Sequence, residues 1–300
     1  MKKDKLKNLL NMLQGVYFKV RYAYYTRSRR FKVHSPEETI SKVVNDKVSV
    51  SRFGDGEFYL MWKVVASPFQ KLDSKLSERL HEVFLSNHPG LIVCVPSYLK
   101  SVDDTFLNAK RWARKWVVQY SKNLDSTFSE VKGRDFYDTN FTRFYMSHVD
   151  KERCKRNIAS IKKIWDDRNV CIIEGQSTRF GVGNDLLGNA RSVTRILCPS
   201  CNAFDKYDQI LNTALELIPQ DSLILIALGM TATVLAHDLA LKGYQAIDIG
   251  HLDVEYEWFL MGATKKTAIH NKAVNEVGIP VVEGQLDDSE YNDSIIARIE

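Results

Sequence analysis

An α/β fold, with a mostly parallel sheet flanked by helices and a basic amphipathic helix in front, follows from three features of this 300-residue chain. Six short β-rich runs alternate with helical stretches, the pattern of βαβ units. The strand-like runs are continuously apolar, as in Leu223-Ile224-Leu225-Ile226, so they suit strands buried on both faces. The first 32 residues place apolar side chains at three- and four-residue spacing among many cations.

In order along the chain, Leu6, Leu9, Leu10, Leu13, Val16, Tyr17, Val20 and Tyr24 form one stripe of the first helix. Lys3, Lys7, Asn8, Asn11 and Gln14 fall on its other side, and Arg27-Ser28-Arg29-Arg30 follows as a basic linker. A helix of this kind lies at an anionic membrane surface, or packs on the body or on a second copy of the chain. Residues 33–300 read as a single domain. It opens at Ser35-Pro36-Glu37-Glu38, a helix start with proline in the first turn. Strands are expected at Val48–Arg52, Leu91–Val95, Val170–Ile173, Val193–Cys198, Leu223–Leu228 and Ala246–Ile249. Helices are expected at Phe58–Val65, Ser74–Leu85, Thr105–Tyr120, Lys151–Trp165, Tyr207–Leu217 and Thr231–Leu241.

Composition removes several classes of function. With 44% hydrophobic and 26% charged residues, the chain can bury a core and is not globally disordered. Its longest apolar run, Leu223 to Leu228, is six residues, far below the roughly 18 that a spanning helix needs. Leu9-Leu10 is too short an apolar core for a secretory signal. Residues 1–32 hold ten Lys/Arg and one acid, a charge of +9; against the chain's +5 this leaves the other 268 residues at −4. A nucleic-acid-binding fold carries its positive charge on the folded body. Nucleic acid is therefore not expected, and the basic segment reads as a tether. Five dispersed cysteines do not make a disulfide framework and point to a reducing cytoplasm. Cys198-Pro199-Ser200-Cys201 has metal-like spacing but no second ligand pair, so it reads as two semi-buried thiols.

Ligands of such sheets bind beyond the carboxyl ends of the strands. Four post-strand segments carry the chemistry. In Ser51-Arg52-Phe53-Gly54-Asp55-Gly56-Glu57, Gly54 and Gly56 let a ligand approach the backbone. Asp55 and Glu57 offer oxygens to a hard divalent cation, Mg²⁺ or Mn²⁺, and Arg52 suits phosphate. The same pattern also fits an acidic turn in which Glu57 starts a helix. The segment from Glu174-Gly175 to Asp185, with Arg179 and Gly181-x-Gly183, offers a phosphate cradle that is neither a Walker loop nor a complete dinucleotide fingerprint. Leu228-Gly229-Met230-Thr231 ends a buried strand at a helix N-terminus, which is an anion site or a simple cap. In the segment from Asp248 to Trp258, His251, Asp253 and Glu255 would share one face if extended and supply a general base. Alternatively, Asp253 caps a helix with Glu255 and Glu257 in its first turn.

Together, the 51–57 segment, Glu174-Gly175 with Arg179, and Ile247-Asp248-Ile249-Gly250-His251-Leu252-Asp253-Val254-Glu255-Tyr256-Glu257-Trp258 resemble the GT-D type glycosyltransferases over about residues 36–270. The resemblance implies a Rossmann-like fold, a nucleotide-sugar donor such as UDP-glucose, and a divalent metal on an Asp-x-Glu motif, here Asp55-Gly56-Glu57. The expected donor contacts are Arg52, Gly54, Gly56, Gly175, Arg179, Gly229 and Thr231. Glu255 or Asp253 is the expected base, with His251 orienting it or serving itself. The acceptor expected from the resemblance is a glycan or a lipid-linked saccharide. Two other classes stay open on the residues alone: another nucleotide-dependent enzyme on the same architecture, and a non-catalytic partner subunit of a transferase.

Overall fold

A computed structural model describes residues 2–29, 31–67, 69–279, 281, 282, 284 and 286–300, without the side chains of residues 2–8, 10 and 11. The side chains of Leu6, Leu10 and the cations at Lys2, Lys3, Lys5, Lys7 and Arg30 thus lie outside the described residues.

The chain opens with α1 (Lys2–Ser28), α2 (Pro36–Asp46), β1 (Ser49–Arg52), α3 (Asp55–Met61), α4 (Ser74–Leu85) and β2 (Leu91–Val95). It continues with α5 (Leu107–Gln119), α6 (Ser121–Ser129), β3 (Tyr137–Asp138), α7 (Lys151–Ile161), β4 (Asn169–Gly175) and β5 (Ser192–Cys198). The remainder is α8 (Tyr207–Leu217), β6 (Leu223–Ala227), α9 (Met230–Leu241), β7 (Gln245–Asp248), α10 (Leu252–Leu260), α11 (Ser289–Asp293) and β8 (Ile295–Arg298).

The strands form one sheet in the order β3-β2-β1-β7-β6-β4-β5-β8, and every pairing is parallel. This is the expected α/β class. Alternate residues of each strand feed two cores, as the two-residue period of a strand requires. Cys171 and Ile173 of β4 pack with α3, α4, α5, α8 and α9, whereas Val170 and Ile172 pack with α2, α7 and α10. Hence β2 and β6 are apolar throughout, as is β4 from Val170 to Ile173. The β4 and β6 connections leave in opposite directions, to β5 and to β7, which opens a crevice at the carboxyl edge between these neighbours.

Local signals explain the element ends. Ser35 accepts from the Glu38 amide while the Glu38 carboxylate accepts from the Ser35 amide, a closed capping box at α2. Helix α3 starts three residues before the expected Phe58, so Asp55 and Glu57 stand in its first turn rather than on an open loop. Strands β3 and β8, and helices α6 and α11, were not among the expected elements; α10 realises the helical alternative for the 251–257 segment, with His251 rather than Asp253 at its cap. Strand β3 has two residues, and β8 is a half-exposed edge strand, so neither leaves a long apolar run.

Helix α1 forms, and it docks by a different face from the expected stripe. Tyr22 and Thr26 are buried, and the Tyr22 hydroxyl donates to the Tyr98 carbonyl at 2.7 Å. Arg29 pairs with Asp125 at 2.9 Å, and Lys100 Nζ donates to the carbonyls of Thr26 and Arg29. The stripe from Leu9 to Tyr24 faces outward. Among the described residues, no helix is long and apolar enough to cross a membrane.

Candidate active site

One cavity of about 920 Å³ lies over the carboxyl ends of the strands. Its wall takes in Arg52 at the end of β1 with Gly54, Asp55, Gly56 and Glu57 beyond it, Gly175 at the end of β4, Gly229 after β6, and His251 and Asp253 after β7. The strand ends are tied to one another. Ser51 Oγ donates to the Thr233 carbonyl at 2.7 Å, and Thr233 Oγ1 donates to the Arg52 carbonyl at 2.9 Å. The N-terminus of α9 is thereby fixed against the end of β1. Gly229 holds φ +53°, and a Cβ there would stand 2.5 Å from the Phe69 ring, so only glycine lets the chain turn into α9 beside that wall.

The two carboxylates of the 55–57 segment differ. Glu57 accepts the Gly54 amide at 2.7 Å, and burial together with the Asp248 carboxylate raises it to about 7. The side chain of Asp55 makes no hydrogen bond among the described residues, and it lines the cavity. Arg52 reaches the wall, but its guanidinium is engaged: Nε lies 3.3 Å from Asp248 Oδ1, and Nη1 donates to Thr142. It therefore acts there as part of an ion pair rather than as a free cation.

The 251–257 segment is helical, which corrects the expectation that His251, Asp253 and Glu255 share one face of an extended chain. His251 is the residue before α10, so Asp253 turns away from it. Glu255 is not on the cavity. Its Oε2 accepts the amides of Tyr145 at 3.0 Å and Met146 at 2.7 Å, and so fixes the backbone of the loop that brings Ser147 and His148 to the wall. Asp253 accepts from the Gly181 amide, from Asn184 and from Lys272 Nζ at 2.6 Å, and Lys272 also donates to Glu257 at 2.9 Å. Both acids are buried and hydrogen-bonded to structural partners; Asp253 also lines the cavity wall, whereas Glu255 does not. His251 remains on the cavity, with Nδ1 only 3.5 Å from Glu276. Burial, reinforced by the Arg143 guanidinium, lowers its imidazole to about 4 and keeps it neutral near pH 7.

Two donor contacts expected from the sequence also lie elsewhere. Arg179 is buried, at φ +52°, and donates to the carbonyls of Asn271 at 3.0 Å and Gly284 at 2.6 Å. It ties Asn271 to Gly284. Thr231 is fully buried inside α9 and absent from the wall. Conversely, the cavity includes Tyr98, Trp112, Arg143, His148, Lys266 and Glu276, none of which the sequence reading singled out. Tyr98 was within reach, since it follows the strand that ends at Val95. The others sit on segments without a preceding strand-and-glycine signal.

The donor set suits a hard divalent cation. Asp55 offers both carboxylate oxygens, and Glu57 offers the oxygen not turned to Gly54. Among the described residues no group of three or more His, Cys, Asp or Glu forms a closed metal site.

A family model described as the glycosyltransferase GT-D fold matches residues 50–277. A probable glycosyl transferase of Streptococcus gordonii, named Gly, is 34% identical over 273 residues, covering 90% of this chain and 39% of that protein. Glycosyltransferase GlyD of Streptococcus pneumoniae is 34% identical over 274 residues, covering 89% of this chain and 32% of that protein. The chain thus spans 39% and 32% of the length of these two curated relatives. Among solved structures, domain of unknown function 1792, described as having a distinct glycosyltransferase fold, aligns with TM-score 0.86 at 35% identity, over 93% of this chain and all of that one. A glycosyltransferase of the same domain from Streptococcus sanguinis aligns with TM-score 0.84 at 34% identity, over 90% of this chain and all of that one.

Proposed function

This chain belongs to the GT-D glycosyltransferase family, and from that premise we propose that it transfers a sugar from a UDP-sugar, UDP-glucose first among them, to a glycan hydroxyl. The observation that carries the reading is the uncommitted Asp55 carboxylate on a large cavity beside the N-terminus of α9. The donor class rests on the family resemblance.

Asp55 and Glu57 would hold Mn²⁺ or Mg²⁺. When bound, such an ion neutralises charge that builds on a departing diphosphate. The chain's own contribution is positional. The first amides of α9 lack intrahelical partners and present partial positive charge to an anion at Gly229 and Met230. Gly54, Gly56 and Gly175 line the wall and let its turns pack closely: an added Cβ would collide with the Met230 side chain at Gly56 and stand 3.2 Å from the Ser200 backbone at Gly175. His251 is the group that accepts the acceptor hydroxyl's proton. It is neutral without substrate, and a diphosphate beside it would offset the Arg143 charge and raise its basicity.

The test is nucleotide release. Purified chain is incubated with a panel of UDP-sugars and Mn²⁺, with and without chelator. Release of UDP from at least one sugar, lost on chelation and restored by Mn²⁺, is expected. Asp55→Asn should lower that release by roughly 100-fold or more while melting with the parent. Release from no sugar in the panel, or full activity in Asp55→Asn, contradicts the assignment.

A further inference from the structure

We propose that the outward face of α1 seats on an anionic lipid bilayer. The C-terminal half of α1 is fixed to the body through Tyr22, Thr26 and Arg29. On the opposite side Met12, Leu13, Val16, Tyr17, Val20 and Tyr24 are all more than half exposed, with Val20 at 62% and Tyr24 at 64%. At 100° per residue these six fall within a sector of roughly 140°. Exposed Lys19 and Arg21 stand at its two borders. Helix α1 therefore has a mixed face of Tyr22, Thr26 and Arg29 spent on the fold and an apolar face left open.

Charge selects the occupant. The segment that bears the stripe carries ten cations and one acid. The helix beneath it, α5, adds exposed Arg111 and Lys115 and has no acid. A second copy would bring the same +9 against itself, and like charge across an interface opposes pairing. A surface of anionic headgroups over acyl chains complements both the cations and the stripe, and Tyr17 and Tyr24 suit its boundary. The contact would also place the cavity. Tyr98, which receives the Tyr22 hydrogen bond, and the half-exposed Trp112 of α5 both stand in the cavity wall. A seated α1 thus holds the cavity one helix away from the bilayer, where an acceptor carried on a lipid would be presented.

The test uses the full chain with vesicles of phosphatidylcholine alone and of phosphatidylcholine with phosphatidylglycerol, beside size-exclusion with light scattering. Sedimentation with the anionic vesicles only, reversed by high salt, is expected. Lys19→Gln and Arg21→Gln should each weaken binding by roughly fivefold. Val16→Asp with Val20→Asp should abolish it without lowering the melting temperature, because both side chains face solvent. Absence of binding to anionic vesicles overturns the proposal, and so does binding indifferent to Val16→Asp with Val20→Asp. A dimer that these substitutions split, with vesicles ignored, assigns the face to a second copy instead. Vesicle binding without turnover of any UDP-sugar would leave this proposal standing and contradict only the proposed activity.

Discussion

Asp253 and Glu255 occupy positions where a helix N-terminus favours acids, and each is consumed by a structural duty. Lys272, almost wholly buried, joins Asp253 and Glu257 and so ties α10 to the loop that carries Asn275 and Glu276 to the cavity. Removing one member of a buried ion cluster strands the others. Lys272→Met should therefore lower unfolding stability by about 3–5 kcal/mol, read by urea denaturation. Glu255→Gln should cost about 1.5–3 kcal/mol through the weakened contacts to Tyr145 and Met146, with activity falling no faster than the folded fraction. A large drop in turnover at unchanged stability would return Glu255 to the role of base. His251 behaves differently, because its burial shows as a pH dependence. The folded imidazole titrates near 4 and the free one near 6.5, so the unfolded chain binds a proton that the native state refuses between these values. This contribution is full above about pH 6.5 and is lost as pH falls toward 4. His251→Asn should flatten the stability curve in that window. Melting profiles of both proteins from pH 7.5 to 4.5 measure it, and parallel curves would contradict the assigned environment.

At the level of elements, the site is a set of strand-to-helix turns held in register by short side chains such as Ser51 and Thr233. The β6–α9 turn depends on Gly229. An added Cβ would meet Phe69 and an unfavourable backbone region together. Gly229→Ala should lose about 1–3 kcal/mol and weaken anion binding at the α9 N-terminus, read by thermal melts with and without UDP. These turns were legible in the sequence because an apolar strand ending in glycine is both a fold signal and a site signal. Gly54, Gly56, Gly175 and Gly229 all line the cavity for that reason. The far wall was not legible. Arg143 and Glu276, paired at 2.7 Å, come from irregular segments more than a hundred residues apart, and only the tertiary fold brings them together. The 251–257 segment misled because spacing of two reads as one face in a strand and as opposite faces in a helix. Local sequence did not decide between them.

At the scale of the whole molecule, one parallel sheet gathers the ends of β1, β7, β6 and β4 into a single cavity, and α1 is bolted to one wall of it. Charge is divided along the same lines, with the basic segment on α1 and an acidic balance over the remaining residues. Among the described residues the Asp55 carboxylate on the cavity wall makes no hydrogen bond. Titration calorimetry of UDP into the protein with Mn²⁺, repeated with chelator and with Asp55→Asn, tests its proposed role most directly. Binding that weakens by at least roughly tenfold both on chelation and in the variant, at unchanged melting temperature, is the predicted result. UDP binding equally tight in all three conditions would contradict it.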